Sequence, residues 1–177
     1  LFDAEELPDV AASVNGLIVD RRGQPIAEAG LIEALFVEGD RLVFKRDDSQ
    51  SGVGITLLDR ATFDPGKLQA LGSGVLQSFI RQHPLFQRLS NSTSVATLRL
   101  TTASDDKGEV RLRAAYLRLG RAKESHVQSA SEVRVAIDHA TGALSATGYM
   151  PDWSRIDRHP DADEPFAGHS IPNFEDC

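Results

Sequence analysis

The 177-residue sequence predicts an α+β fold made mostly of antiparallel sheets with few helices. Three observations carry that expectation. Seven segments have alternating or continuous apolar patterns of strand length, bounded by Gly, Pro, Asn or Asp. Two connections, Asp105-Asp106-Lys107-Gly108 and His139-Ala140-Thr141-Gly142, read as hairpin turns. Helical spacing is confined to two short places, and the 41% hydrophobic content is enough to bury a core.

Taken in order, Leu17-Ile18-Val19 between Asn15-Gly16 and Asp20-Arg21-Arg22-Gly23 is a short strand flanked by turns. Pro25 opens a helix in which Ile26, Leu31, Ile32, Leu35 and Phe36 approximate one face, and Glu38-Gly39-Asp40 stops it. Strands follow over Arg41 to Arg46, Val53 to Asp59, Val75 to Ile80, Val95 to Thr102, Val110 to Leu119, Val133 to Asp138 and Leu144 to Met150. His83 to Leu89 is a short helix with Pro84 in its first turn. Asp64-Pro65-Gly66 suggests a boundary between two lobes, about 14–64 and about 65–177. The tail from Pro151, with four prolines, reads as an ordered loop or extended excursion.

Composition narrows the function classes. No apolar run approaches the roughly 18 residues of a membrane span, and residues 1–20 lack the pattern of a signal peptide, so a cytoplasmic chain without a membrane partner is expected. The one cysteine, Cys177, permits neither an internal disulfide nor a cysteine zinc site. Net charge is −7, yet residues 45–121 carry twelve basic against seven acidic residues, while 151–177 carry seven acidic against Arg155 and Arg158. Such a chain is poorly suited to nucleic acid but can hold a small polyanion in a local cleft.

Lys45 ends a strand in which Phe44 and Leu42 face the other way, and Lys45-Arg46-Asp47-Asp48-Ser49-Gln50-Ser51-Gly52-Val53-Gly54 follows as a polar, glycine-bearing loop. Either this is an ordinary hairpin with an exposed lysine, or the ammonium and the amides near Ser51, Gly52 and Gly54 receive phosphate. Arg99 lies between Thr97 and Thr101 on a polar strand face. Arg118 continues a row through Val110, Leu112, Ala114 and Tyr116 that reads as core-facing, so it requires an anion: a protein Asp or Glu, or a bound phosphate or carboxylate. His159 and His169 flank Asp161, Asp163 and Glu164, but the spacing matches no metal motif. No Gly-x-Ser-x-Gly elbow and no interpretable pair of carboxylates occurs.

These stretches, in this order, resemble the ATP-grasp superfamily, specifically the sugar-transfer-associated ATP-grasp proteins. The likeness rests on Asn15 to Asp20 with Gly23, Val43-Phe44-Lys45 with Ser51 to Gly54, Leu76 to Pro84, Ser94 to Thr102 and Leu117 to Arg121. It continues in His159-Pro160-Asp161 with Pro165 to Gly168 and Ile171-Pro172. The resemblance implies that ATP lies between two α+β lobes, with Lys45 near its phosphates, Ser49, Ser51, Gly52 and Gly54 in a covering flap, and Gln77, Phe79 and Ile80 in the hinge beside adenine. It further implies that Arg99 and Arg118 stabilise a transferring phosphate or acyl phosphate. The implied activity is a carboxylate–amine ligase, acting on an unspecified carboxylate in cell-surface sugar or peptide modification.

The sequence departs from the family pattern at Arg46 (Pro expected), Ala96 (Asn), Gln128 (Asn) and Ser131-Glu132 (Gly-Gly). The family's magnesium ligands are expected beyond Ile171-Pro172 and are not evident in this chain, so the domain is expected to be incomplete at both ends. Two alternatives therefore stand beside the ligase: a non-catalytic nucleotide- or polyanion-binding domain, and a structural β-rich module whose arginines pair internally.

Overall fold

The computed structural model describes residues 7–48 and 54–176. The chain forms two compact units, one up to Ile80 and the other from Arg81. The division thus falls beyond the Asp64-Pro65-Gly66 segment, because the strand after that segment pairs within the first sheet. No helix among the described residues is long and apolar enough to cross a membrane.

In the first unit, β1 (Asp9–Val14), β2 (Leu17–Asp20), β3 (Arg41–Arg46), β4 (Ile55–Asp59) and β5 (Gly74–Ser78) form one sheet in the order β2-β1-β5-β3-β4, antiparallel throughout. Asn15 and Gly16 join β1 to β2 with φ of 50° and 84°, the pair of positive values that a two-residue hairpin turn demands. The helix expected from Pro25 begins only at Leu31: α1 spans Leu31–Leu35. Gly30, at φ 105°, cannot continue a right-handed helix, and the preceding residues serve the sheet instead. Pro25 bridges Val19, and the Ile26 amide donates to the Ile18 carbonyl at 2.8 Å. A further helix, α2 (Pro65–Ala70), starts where a boundary was expected; the Asp64 carboxylate caps it by accepting from the Gly66 amide at 2.9 Å. Leu35, Leu42, Phe44, Leu68 and Leu76 are buried in the core that the helices and one sheet face enclose.

The second unit is a meander. β6 (Thr97–Ser104), β7 (Val110–Leu119), β8 (Val133–Ile137), β9 (Leu144–Tyr149) and β10 (Arg155–Ile156) pair each with the next in the order β10-β9-β8-β7-β6. β6 begins at Thr97 rather than Val95 because the Gln82 side chain takes the Ala96 amide at 3.0 Å. The helix α3 (Pro84–Ser90) is capped by His83, whose Nδ1 accepts from the Leu85 amide, and it ends at left-handed Asn91. α3 and the tail pack on one sheet face over Leu117, Leu119, Val133 and Val135. The tail is an ordered excursion, tied by bridges Arg158 to Pro165 and Ala143 to Ser170 and pinned by Phe166 and Ile171.

The face assignment in β7 requires correction. Val110, Leu112, Ala114, Tyr116 and Arg118 do not form the core-facing row; Ala115, Leu117 and Leu119 do. A bulge causes the change: Thr101 pairs with Ala114 but Thr102 with Leu112, so Arg113 is an extra residue that reverses the alternation. Arg118 therefore stands on the face away from the core, in register with Thr97 and Arg134.

Candidate functional site

In the first unit Leu42 and Phe44 are buried, which sends Arg41, Val43 and Lys45 to the opposite face of β3. Val43 pairs with Gln77, so Lys45 and Gln77 share that face on adjacent strands. Lys45 is exposed, and its ammonium makes no hydrogen bond or ion pair among the described residues. Gln77 is held in place, its side-chain amide donating to Asp9 Oδ1 at 2.5 Å. Phe79 and Ile80 lie past the end of β5. The Phe79 amide is already donated to the Arg41 carbonyl at 3.3 Å, its ring lies under the Arg41 guanidinium, and Ile80 is exposed. Gly54, at φ 77°, leads into β4 and accepts from the Arg46 amide. The flap residues Ser49, Ser51 and Gly52 lie outside the described residues.

The polar face of the second sheet carries a line of residues in register across all five strands: Thr97, Arg118, Arg134, Tyr149 and Arg155. Arg99 stands beside this line, opposite Tyr116, exposed and without a hydrogen bond or ion pair among the described residues. Arg118 has found its anion inside the protein. Its Nε donates to Glu132 Oε2 at 2.6 Å and its Nη2 reaches the same oxygen, while Arg134 Nε donates to Glu132 Oε1 at 2.7 Å. Glu132 is buried at 2% exposure. Burial alone would raise its carboxyl pKa, but the hydrogen bonds and charges of the two guanidinium groups outweigh this and hold it below the usual carboxylate range. The triad carries one net positive charge.

A profile of sugar-transfer associated ATP-grasp proteins matches residues 63–177, more than half of the chain. The chain belongs to this family. No curated protein and no solved structure matches it. Among the residues within the ATP-grasp match, Glu132 and Arg134 escaped the sequence reading, although Arg134 interrupts the apolar Val133-x-Val135 alternation and so had to face away from the core. Glu132 stands where the family pattern has glycine, and its role emerges only from the register that sets Arg118 opposite Arg134.

The tail of this ATP-grasp chain contains a third cluster. Arg121 grips Asp161 with two hydrogen bonds of 2.7 Å, and the Ala122 amide adds one of 2.9 Å. The Arg121 hydrogen bond holds the Asp161 carboxyl far below its ordinary range. His159, fully buried, accepts from the Asp161 amide through Nδ1 at 3.1 Å, and His169 Nε2 pairs with Glu164 at 3.0 Å. No group of three or more His, Cys, Asp or Glu side chains suited to a metal ion occurs among the described residues.

Burial pushes the His159 imidazole below its ordinary value, against the opposing pull of Asp161. The unfolded chain therefore takes up a proton at His159 before the folded chain does. The stabilisation is complete above a pH of roughly 6.5 and is lost as pH falls below it. Asp161 adds a loss of the same sign, but only as pH falls through about 4 and below. Urea unfolding at pH 7 and pH 5 is expected to show a lower midpoint in acid. The difference should shrink in His159→Asn, whose Oδ1 can still accept the Asp161 amide; an unchanged difference would assign the acid sensitivity elsewhere.

Proposed function

We propose that the chain is an ATP-binding part of a carboxylate–amine ligase. Lys45 neutralises phosphate charge, the loop of Ser49, Ser51, Gly52 and Gly54 covers it, and Gln77, Phe79 and Ile80 border the base. The observation that carries the proposal is the pair Lys45 and Arg99. In a chain of the ATP-grasp family, each is an exposed cation on the face of its sheet away from the core, without a protein counter-ion among the described residues. Arg99 is the leading candidate to meet a developing phosphoryl charge. Arg118, whose Nε and Nη2 are engaged by Glu132, contributes mainly by holding that carboxylate and the sheet face in place. Magnesium supplies charge neutralisation to phosphoryl transfer when bound.

A second reading, a nucleotide-binding domain without transfer chemistry, is favoured by Glu132 itself, since its carboxylate occupies the Nε and Nη2 donors of Arg118. Calorimetry with ATP, with and without magnesium, tests the shared part of both readings. Lys45→Ala and Arg99→Ala are each expected to weaken binding about tenfold, the effect of one charge-assisted hydrogen bond. Unchanged affinity in both variants would overturn the proposal. Release of ADP in the presence of carboxylates and amines then separates ligase from binder.

A further inference from the structure

We infer that Trp153 and Arg155, on the connection from β9 and on β10, form a binding platform for an acidic sugar ring, a site separate from the nucleotide reading above. Trp153 has φ 65°, a left-handed value that a bulky side chain rarely adopts. The turn enforces this conformation. The Trp153 amide donates to the Met150 carbonyl at 2.9 Å, the Met150 amide to the Ser154 carbonyl at 3.0 Å, and Asp152 accepts from both the amide and the hydroxyl of Ser154. Glycine would relieve the backbone, yet the position holds the largest side chain there is, and it is 69% exposed rather than buried in the core.

The ring is also held in orientation. Tyr149 meets it edge-on at 6.2 Å, and the Arg134 guanidinium lies over it at 5.7 Å while its Nε remains bound to Glu132. An exposed indole fixed in this way offers a flat apolar surface to the C–H face of a pyranose. Arg155 stands in register with Tyr149, exposed, and its guanidinium makes no hydrogen bond or ion pair among the described residues. It also lines a shallow cavity of about 570 Å³ with Thr147, Asp157, Arg158 and Pro160. Trp153 meets Tyr149 by its ring and Arg155 pairs with Tyr149 across the strands; a guanidinium so placed selects a carboxylate, and the Thr147 hydroxyl and Asp157 carboxylate of the cavity suit the hydroxyls of the same ring. Together these groups match a uronic acid better than a neutral sugar.

Trp153 is the single tryptophan of the chain, so its fluorescence reports this site alone. Titration with methyl β-D-glucuronide should give a saturable change in emission, with methyl β-D-glucoside binding about tenfold more weakly. Arg155→Ala should bring the glucuronide down to the level of the glucoside without altering the emission of the free protein. By calorimetry, Trp153→Gly should lose glucuronide binding while unfolding no more readily than the parent chain, which separates a binding role from a structural one. No saturable change, equal response to both glycosides, or a change given by ATP and not by glucuronide would each overturn the inference. ATP affinity measured on Lys45→Ala is independent of all these outcomes.

Discussion

Glu132→Ala is expected to destabilise the second unit by about 3 kcal/mol, the lower end of the range for breaking a buried ion pair. The lower end applies because the partners are partly hydrated: the Arg118 and Arg134 side chains are 13% and 27% exposed, against 3% for Glu132. Removing the carboxylate leaves two guanidinium groups facing one another across adjacent strands at the Arg118 to Arg134 pair. Glu132→Gln should cost less than alanine, since one carbonyl oxygen still accepts, but its amide group meets donors on either side. Replacing all three residues by methionine should recover most of the loss, because the desolvation cost of the charges disappears with them. Urea unfolding followed by Trp153 emission measures this, with an unchanged slope expected alongside the lower midpoint. A loss below about 1 kcal/mol for Glu132→Ala would mean that the triad behaves as an exposed pair.

Phe166→Ala should be as damaging, about 3–5 kcal/mol, through the cavity it leaves in a core where Phe166 is fully buried. The ring lies against Gly148 of β9 so closely that a Cβ placed there would be 2.7 Å from Phe166 Cε2. Gly148→Ala is accordingly expected to cost about 1–3 kcal/mol in the parent chain by overpacking. In the Phe166→Ala background the same change fills space instead, so the two effects should couple by about 1 kcal/mol or more in a double-mutant cycle. Strict additivity would show that sheet and tail yield independently, contrary to the contact between them.

Much of the fold was legible because strands on a half-buried sheet must alternate. Leu42 and Phe44 inward imply Lys45 outward, and Leu98 inward implies Arg99 outward, with no knowledge of partners. The alternation failed in β7, where one extra residue at the bulge changed the phase, and nothing in Arg111-Leu112-Arg113-Ala114 signals which residue will be left over. β1 was missed because Asp9-Val10-Ala11-Ala12-Ser13-Val14 owes its burial to small residues with weak apolar signal. Arg118 did meet an anion, though on the face away from the core rather than in the expected core-facing row. Its identity depended on long-range register, which brings Glu132 beside a strand that ended over ten residues earlier. Nothing in the residue pattern marks Trp153 as exposed; its exposure follows from backbone geometry that residue type does not reveal.

The two sheets pose different problems to an unfolded chain. In the second, every strand pairs with its sequence neighbour, so each added strand closes only a short loop and the sheet can grow outward from any one hairpin. In the first, β5 is inserted between β1 and β3, so that Ser13 must meet Gly74 across about 60 residues before the centre of the sheet exists. Until that long closure is made, β3, β4 and β5 can pair among themselves, but β1 with β2 remains a separate hairpin too small to be stable alone. The face that carries Lys45 and Gln77 is thus assembled by the β3 to β5 pairing, but the Asp9 contact that holds the Gln77 side chain waits for the long closure, whereas the arginine face of the second sheet can form from local pairings.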